Sequence, residues 1–481
     1  MNDKRLKWIA LFVVIVVSVS TAFWKLGSWA LGNHEAYVAV TARGMIESGN
    51  WLVPYFNGEP RLQKTPLPYW LVATAAKSAG TMNDFIVRLP NAILAVLSAI
   101  AIFYFVRDWL STRIAAISSL VWSTSLCYFR YSHTGRPEIT LTVFVAIAML
   151  SFYSAEQATT RKKQIYCMLV FWLSFSLAML AKGPAPLPLI FPALFFYFAV
   201  FRKWKLIRKM LPIAGTILFL LIVLPWPIIV LMKFPAAETI WRNEFFGRAA
   251  GEYASGGKPF YFYIGVMFLY LLPFSAFIPP ALAAPFYRVW EKKQDSMLYL
   301  WLWFVVGIVV MSMCGGKRQH YILPVMPAMA ILTGIILDDM LFERKAYSRR
   351  FTLNFLIGHL IVLFAGVCIL IVVKPTISIT KDTEDDSNYV IMDFAHQVDS
   401  VKAGKPVIAY CKVNPSFIYY FKHNVPVVND INEIYARYSE GDGIIATGSN
   451  FEQLKNDGRF KLSACGLDKG RGFFMMNKNN K

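Results

Sequence analysis

The chain has 481 residues, of which 56% are hydrophobic, 16% aromatic and only 16% charged, with a formal net charge of +20. A soluble domain carries about a quarter of its residues as charges, so this composition excludes a single soluble globule. The surplus Lys and Arg sit in short loops between apolar stretches, the arrangement of topology signals, so no nucleic-acid partner is expected.

Eleven apolar stretches are each long enough, at about 17–25 residues, to cross a bilayer core. They lie near 8–28, 90–106, 114–130, 137–156, 165–181, 184–201, 210–232, 261–286, 297–313, 321–339 and 352–374. The first follows Lys4, Arg5 and Lys7 but has no clear small-residue cleavage site, so it is expected to remain as an uncleaved helix. With the N-terminus inside, the short inner loops hold Lys and Arg at about three times the density of the outer segments. An odd number of spans then places the tail outside, with the two long loops 29–89 and 233–260.

Within loop 29–89, the stretch Pro66–Gly80 is apolar but too short to span, which predicts a helix lying along the interface. Loop 233–260 ends polar and Gly-rich, which predicts mobility over a site. No internal repeat of fixed period is evident. The expected division is a transmembrane domain over 1–374, a linker over 375–389 and an outer α/β domain over 390–481. In that domain, strand-like runs at 406–410, 425–428, 443–447, 460–463 and 473–477 alternate with helix-like segments at 416–422, 431–438 and 451–456. Cys411 and Cys465 could pair there in an oxidising compartment; no CxxC pair exists anywhere.

Charge near hydrocarbon is costly unless it is used or paired, so ionisable residues at the outer ends of the spans carry the functional signal. The acids are Glu35 and Glu138, and the bases are Arg43, Lys64, Arg136, Lys182, Arg242, Arg248, Lys258, Lys317 and Arg318. A transfer from a phosphate-linked donor needs this mixture: a carboxylate takes the acceptor's proton, and cations hold the phosphate as it leaves. Each has a structural alternative. Outer-face Lys and Arg bind lipid headgroups or snorkel, Glu35 caps a helix starting near Asn33, and Glu138 pairs with Arg136 or Arg130. His34, His133 and His320 lie near the same face without metal-ligand spacing, so no metal or other cofactor is expected. Lys182–Gly183 lacks the upstream glycines of a phosphate-binding loop.

Read in order, these segments resemble the bacterial PMT-type glycosyltransferases, which include the lipid A aminoarabinose transferase and the dolichyl-phosphate-mannose protein mannosyltransferases. The matching pieces are Ala42-Arg43-Gly44-Met45, Ser48-Gly49-Asn50-Trp51, Pro54, Asn57-Gly58, Lys64, Pro66-Leu67 and Tyr69-Trp70. They continue with Arg88-Leu89-Pro90, Arg136-Pro137-Glu138, Lys182-Gly183-Pro184 and the run Gly316 to Pro324 (GKRQHYILP), covering about residues 8–340. The resemblance implies a polytopic α-helical membrane protein of the GT-C fold, here with a small C-terminal α/β domain. It implies a polyprenyl-phosphate sugar donor and transfer on the periplasmic face by direct displacement at the anomeric carbon. The acceptor would be a lipid, glycan or protein of the envelope. An acid of the first loop would activate that acceptor. Lys64, Arg43, Arg242, Arg248, Lys317 and Tyr321 would serve the donor phosphate.

The chain departs from the family pattern in three places. His34 falls where the family has its first Asp, leaving Glu35 or His34 as the base; Glu138 replaces the second-loop Asp; and Gln63 replaces the Glu before the Lys. Two other readings remain: a transporter or lipid flippase, and an inactive accessory member. Mid-span positions almost free of charge speak against transport.

Overall fold

The computed structural model describes residues 3–247, 257–373, 384–402, 404–437, 442–465 and 471–476. Arg248 therefore lies outside the described residues, as does the Gly-rich end of loop 233–260. The chain forms two compact units. The first comprises Met1–Trp24, Leu62–Pro68 and Arg88–Val373, and the second Lys25–Arg61, Tyr69–Val87 and Lys374–Lys481. The boundaries thus differ from a simple split near residue 374, because most of the first outer loop belongs with the tail.

The first unit is a multi-pass membrane domain. Among the described residues, seven helical segments are long and apolar enough to span: Lys4–Phe23, Asp84–Trp109, Pro137–Glu156, Arg161–Lys182, Pro212–Lys233, Gln294–Met313 and Gln319–Glu343. In chain order the elements needed below are α1 (Asp3–Phe23), α2 (Asn33–Ser48), α3 (Leu67–Ala79), α4 (Asp84–Trp109), α5 (Thr112–Ser123), α6 (Leu126–Ser132), α7 (Pro137–Glu156), α8 (Arg161–Lys182) and α9 (Leu187–Val200). The expected span 114–130 is not one helix. Thr124 closes α5 and Ser125 caps α6, its hydroxyl accepting from the Tyr128 amide at 3.4 Å. The Leu126 amide, orphaned by the break, donates to the Leu272 carbonyl at 2.8 Å. The stretch 261–286 likewise divides into the helix Phe262–Tyr270 and short turns, whereas 352–374 forms the helix Arg349–Val373. Broken helices are therefore present, so they do not separate this architecture from a transporter's.

The second unit is built on a five-stranded sheet of β3 (Val407–Tyr410), β4 (Val427–Val428), β5 (Gly443–Thr447), β6 (Phe460–Cys465) and β7 (Arg471–Met476). The strand order is β4-β3-β5-β7-β6. β3 runs parallel to β4 and β5, while β7 is antiparallel to β5 and β6. A small antiparallel pair in the first loop, β1 (Tyr55–Phe56) and β2 (Glu59–Pro60), joins the same unit. The helix Glu384–Val401 begins inside the expected linker, and its buried Ile391, Phe394, Ala395 and Val398 recur at helical spacing. One apolar core holds those residues together with Ala36, Ala39 and Met45 of α2, Val72 of α3 and Phe417 and Phe421 of the tail. Cys411 is a free thiol, and the side chain of Cys465 lies outside the described residues.

Candidate active site

Pro137 opens α7 with its φ already suited to a first turn, and Glu138 follows in that turn beside the helix's positive end. Its carboxylate is 6% exposed and is met by three basic side chains. Lys182 Nζ, from the last turn of α8, donates to Oε1 at 3.1 Å. His320 Nε2 lies 3.4 Å from the same oxygen, and Arg136 Nε lies 3.3 Å from Oε2. A buried carboxylate without partners would cost several kcal/mol, so these bases are what allow Glu138 to remain there as an anion.

Two supports fix the cluster. The Asn91 side-chain amide on α4 donates to the carbonyls of Thr134 and Arg136, both at 2.6 Å, and accepts from the Thr140 hydroxyl at 2.8 Å. The turn carrying Arg136 is thereby tied to α4 and α7. Gly183 ends α8 with φ +59°, and a Cβ there would stand 2.7 Å from the Phe245 ring. Both conformation and space demand glycine next to Lys182.

Beside the carboxylate, the Lys182 ammonium lies 5.8 Å from the Tyr321 ring centroid, and that ring packs edge-on to His320 at 5.0 Å. Arg130 Nη1 donates to Gln319 Oε1 at 3.5 Å, and the Tyr263 hydroxyl donates to the Arg318 carbonyl at 3.2 Å. One acid is thus surrounded by more positive charge than it can neutralise, a composition suited to holding an anion. In the same unit Lys64 is ion-paired with Glu244, and the Trp241 indole donates to the Leu62 carbonyl at 2.7 Å.

The structure brings Glu138, Arg136, Lys182, His320 and Tyr321 together, and it pairs Lys64 with an acid that loop composition alone did not single out. Lys317 is half-buried in the same run as His320, and Arg242 is exposed on the helix Ala237–Arg242. The remaining first-loop candidates belong to the second unit. Glu35 Oε2 accepts from the Gly32 amide at 3.2 Å, a cap on α2, and His34 is exposed beside it. Arg43 donates to the carbonyls of Ile418 and Tyr419 at 3.1 and 3.2 Å. Burial lowers its pKa, opposed by Glu47 3.8 Å away. Asn91 and Glu244 escaped sequence reasoning. The only sign of Asn91 was a polar side chain following Arg88-Leu89-Pro90 in an apolar span.

Among known proteins, residues 63–229 match the family described as dolichyl-phosphate-mannose-protein mannosyltransferase. A protein of Aquifex aeolicus without a described function is 30% identical over 344 residues, covering 69% of this chain and 65% of that protein. An undecaprenyl phosphate-alpha-4-amino-4-deoxy-L-arabinose arabinosyl transferase of Proteus mirabilis is 28% identical, covering 77% and 67%. The fold is that of ArnT from Cupriavidus metallidurans crystallised with undecaprenyl phosphate, with a TM-score of 0.85, 18% identity and 98% of each chain covered. In sequence and in fold the chain is similar to the PMT-type GT-C glycosyltransferases. Another solved GT-C neighbour, the archaeal oligosaccharyltransferase AglB from Archaeoglobus fulgidus, aligns over 92% of this chain with a TM-score of 0.57 and 11% identity. This chain spans about three fifths to two thirds of the length of the arabinosyl transferases it matches.

Proposed function

We propose that this protein is a membrane glycosyltransferase, moving a sugar from a polyprenyl-phosphate donor to a hydroxyl of an envelope acceptor such as lipid A, another glycolipid, a polysaccharide or a protein. It works at the inner membrane with its tail in the periplasm. The acceptor oxygen attacks the anomeric carbon, the bond from that carbon to the phosphate oxygen breaks, and the electron pair leaves on the phosphate. The acceptor's proton passes to a carboxylate. The observation that carries the reading is the pair of cations, Lys182 and Arg136, that meets the buried Glu138 beside His320, in the same unit as Lys64. The arabinosyl transferases it matches and the lipid bound to its ArnT neighbour support the donor class.

In this reading Lys64, Lys317 and Tyr321 serve the donor phosphate, and Glu138 is a positioning residue that holds Lys182, Arg136 and His320 in place. Glu35 is the base, with His34 as the alternative proton acceptor. Purified protein in lipid nanodiscs, given radiolabelled polyprenyl-phosphate sugar and an envelope extract, should transfer label. Glu35→Gln should slow that transfer by about a hundredfold or more. If Glu35 serves only as a cap, rate and stability will both stay close to wild type, because the glutamine oxygen can still accept from the Gly32 amide. Full activity in both Glu35→Gln and His34→Ala sinks the base assignment. No transfer from any lipid-linked sugar sinks the enzyme, leaving a flippase or an inactive accessory protein.

A further inference from the structure

The segment carrying Glu244 is fixed on two sides. Trp241 donates to the Leu62 carbonyl at 2.7 Å and packs its ring 5.4 Å from that of Trp226, while Phe245 fills the space that Gly183 leaves open beside Lys182. Glu244, between these anchors, places its carboxylate on the Lys64 ammonium. Its side chain is only 11% exposed, so the negative charge is delivered to Lys64 from within the fold and is not a loose surface partner.

We propose that Glu244 is the internal counter-ion of the donor-phosphate site, occupying Lys64 when no phosphate is bound, yielding it to the donor and reclaiming it as the product leaves. The inference rests on the reading of Lys64 as a phosphate ligand. The charges of donor and product give the exchange a direction. The donor is a phosphodiester with one negative charge, whereas the product is a monoester with about −1.5 to −2 at neutral pH. The same cations therefore hold the product more tightly than the donor, and unaided release would be slow. A carboxylate poised on Lys64 competes for that cation and offsets part of the surplus attraction. Glu244 thus tunes the site against product retention without touching the sugar.

The test is binding to the full-length protein in nanodiscs of two probes, undecaprenyl phosphate and its methyl phosphodiester. Glu244→Gln should bind the monoester about fivefold more tightly, with slower dissociation and a smaller gain for the diester. Glu244→Asn removes the same charge with a shorter side chain and should shift binding the same way, which guards against a folding defect in one variant. Unchanged or weaker monoester binding in both variants overturns the inference and makes the pair structural. Lys64→Gln separates the two failures. If it weakens binding while the Glu244 variants do nothing, the phosphate reading stands alone. If wild-type protein binds neither probe, the reading of Lys64 falls and the inference with it.

Discussion

Arg43 of α2 donates to the carbonyl oxygens of Ile418 and Tyr419, residues about 375 positions further along the chain. These carbonyls lie in the last turns of the helix Pro415–Phe421, whose negative end favours a cation, although that of Ile418 also accepts from the Lys422 amide at 3.1 Å. The outer loop and the tail are thus one folded body, and Arg43 is committed to holding it. Arg43→Met should destabilise that body by about 2 kcal/mol, the worth of charge-assisted hydrogen bonds at a buried site. Limited proteolysis of the detergent-purified protein should show faster cleavage within 384–476. A large loss of phosphate binding with no change in cleavage would instead return Arg43 to the donor site.

Gly183 has two reasons to be glycine, a φ of +59° and the Phe245 ring 2.7 Å from where a Cβ would stand. Gly183→Ala should therefore displace the end of α8 and with it Lys182, lowering transfer activity by about tenfold for a destabilisation of only 1–2 kcal/mol. Adding Phe245→Leu removes the steric part but not the backbone strain, so the double variant should recover part of the loss. Strictly additive effects in a double-mutant cycle would show that the two residues do not interact.

Much of the second unit was legible because its strands alternate with short helices and turn residues; β3, β5 and β6 form within a residue or two of the runs that suggested them. The helix Glu384–Val401 was missed altogether: its acidic start read as a linker, although acids favour a helix N-terminus, and no helix was expected over the rest. Lys64, Glu138, Lys182 and His320 could be picked out by charge at the ends of apolar spans. Their partners could not. The Glu244–Lys64 and Arg43–Tyr419 relations join residues 180 and 376 positions apart, and no local pattern encodes such pairings. The break between α5 and α6 had a signal in Ser123-Thr124-Ser125, but the Leu272 carbonyl that receives the freed amide belongs to tertiary structure.

Asn91 reaches three groups from a span that is otherwise apolar: two carbonyls at 2.6 Å and the Thr140 hydroxyl at 2.8 Å. Asn91→Leu keeps the volume and removes all three bonds, so it should cost about 2–3 kcal/mol by leaving buried polar groups unsatisfied. Because one of those carbonyls belongs to Arg136, KM for the lipid-linked donor should rise as well. Asn91→Asp should not rescue, since an ionised carboxylate can only accept and would face two carbonyl oxygens.

Glu138 separates charge from shape most directly. Glu138→Gln keeps the outline of the side chain but leaves the half-buried Lys182 and Arg136 without an opposing charge, which should cost about 3 kcal/mol, the low end for breaking a buried pair. Glu138→Asp keeps the charge on a side chain one methylene shorter, drawing the carboxylate back from Lys182 and His320. The expected order of thermal stability is wild type, then Asp, then Gln. If Glu138 only positions its cations, transfer activity should follow the same order, and added undecaprenyl phosphate should restore part of the Gln variant's stability by supplying the missing negative charge. A Gln variant that is fully stable yet inactive would break this link between cation placement and rate, and would make Glu138 itself the group that handles the acceptor's proton.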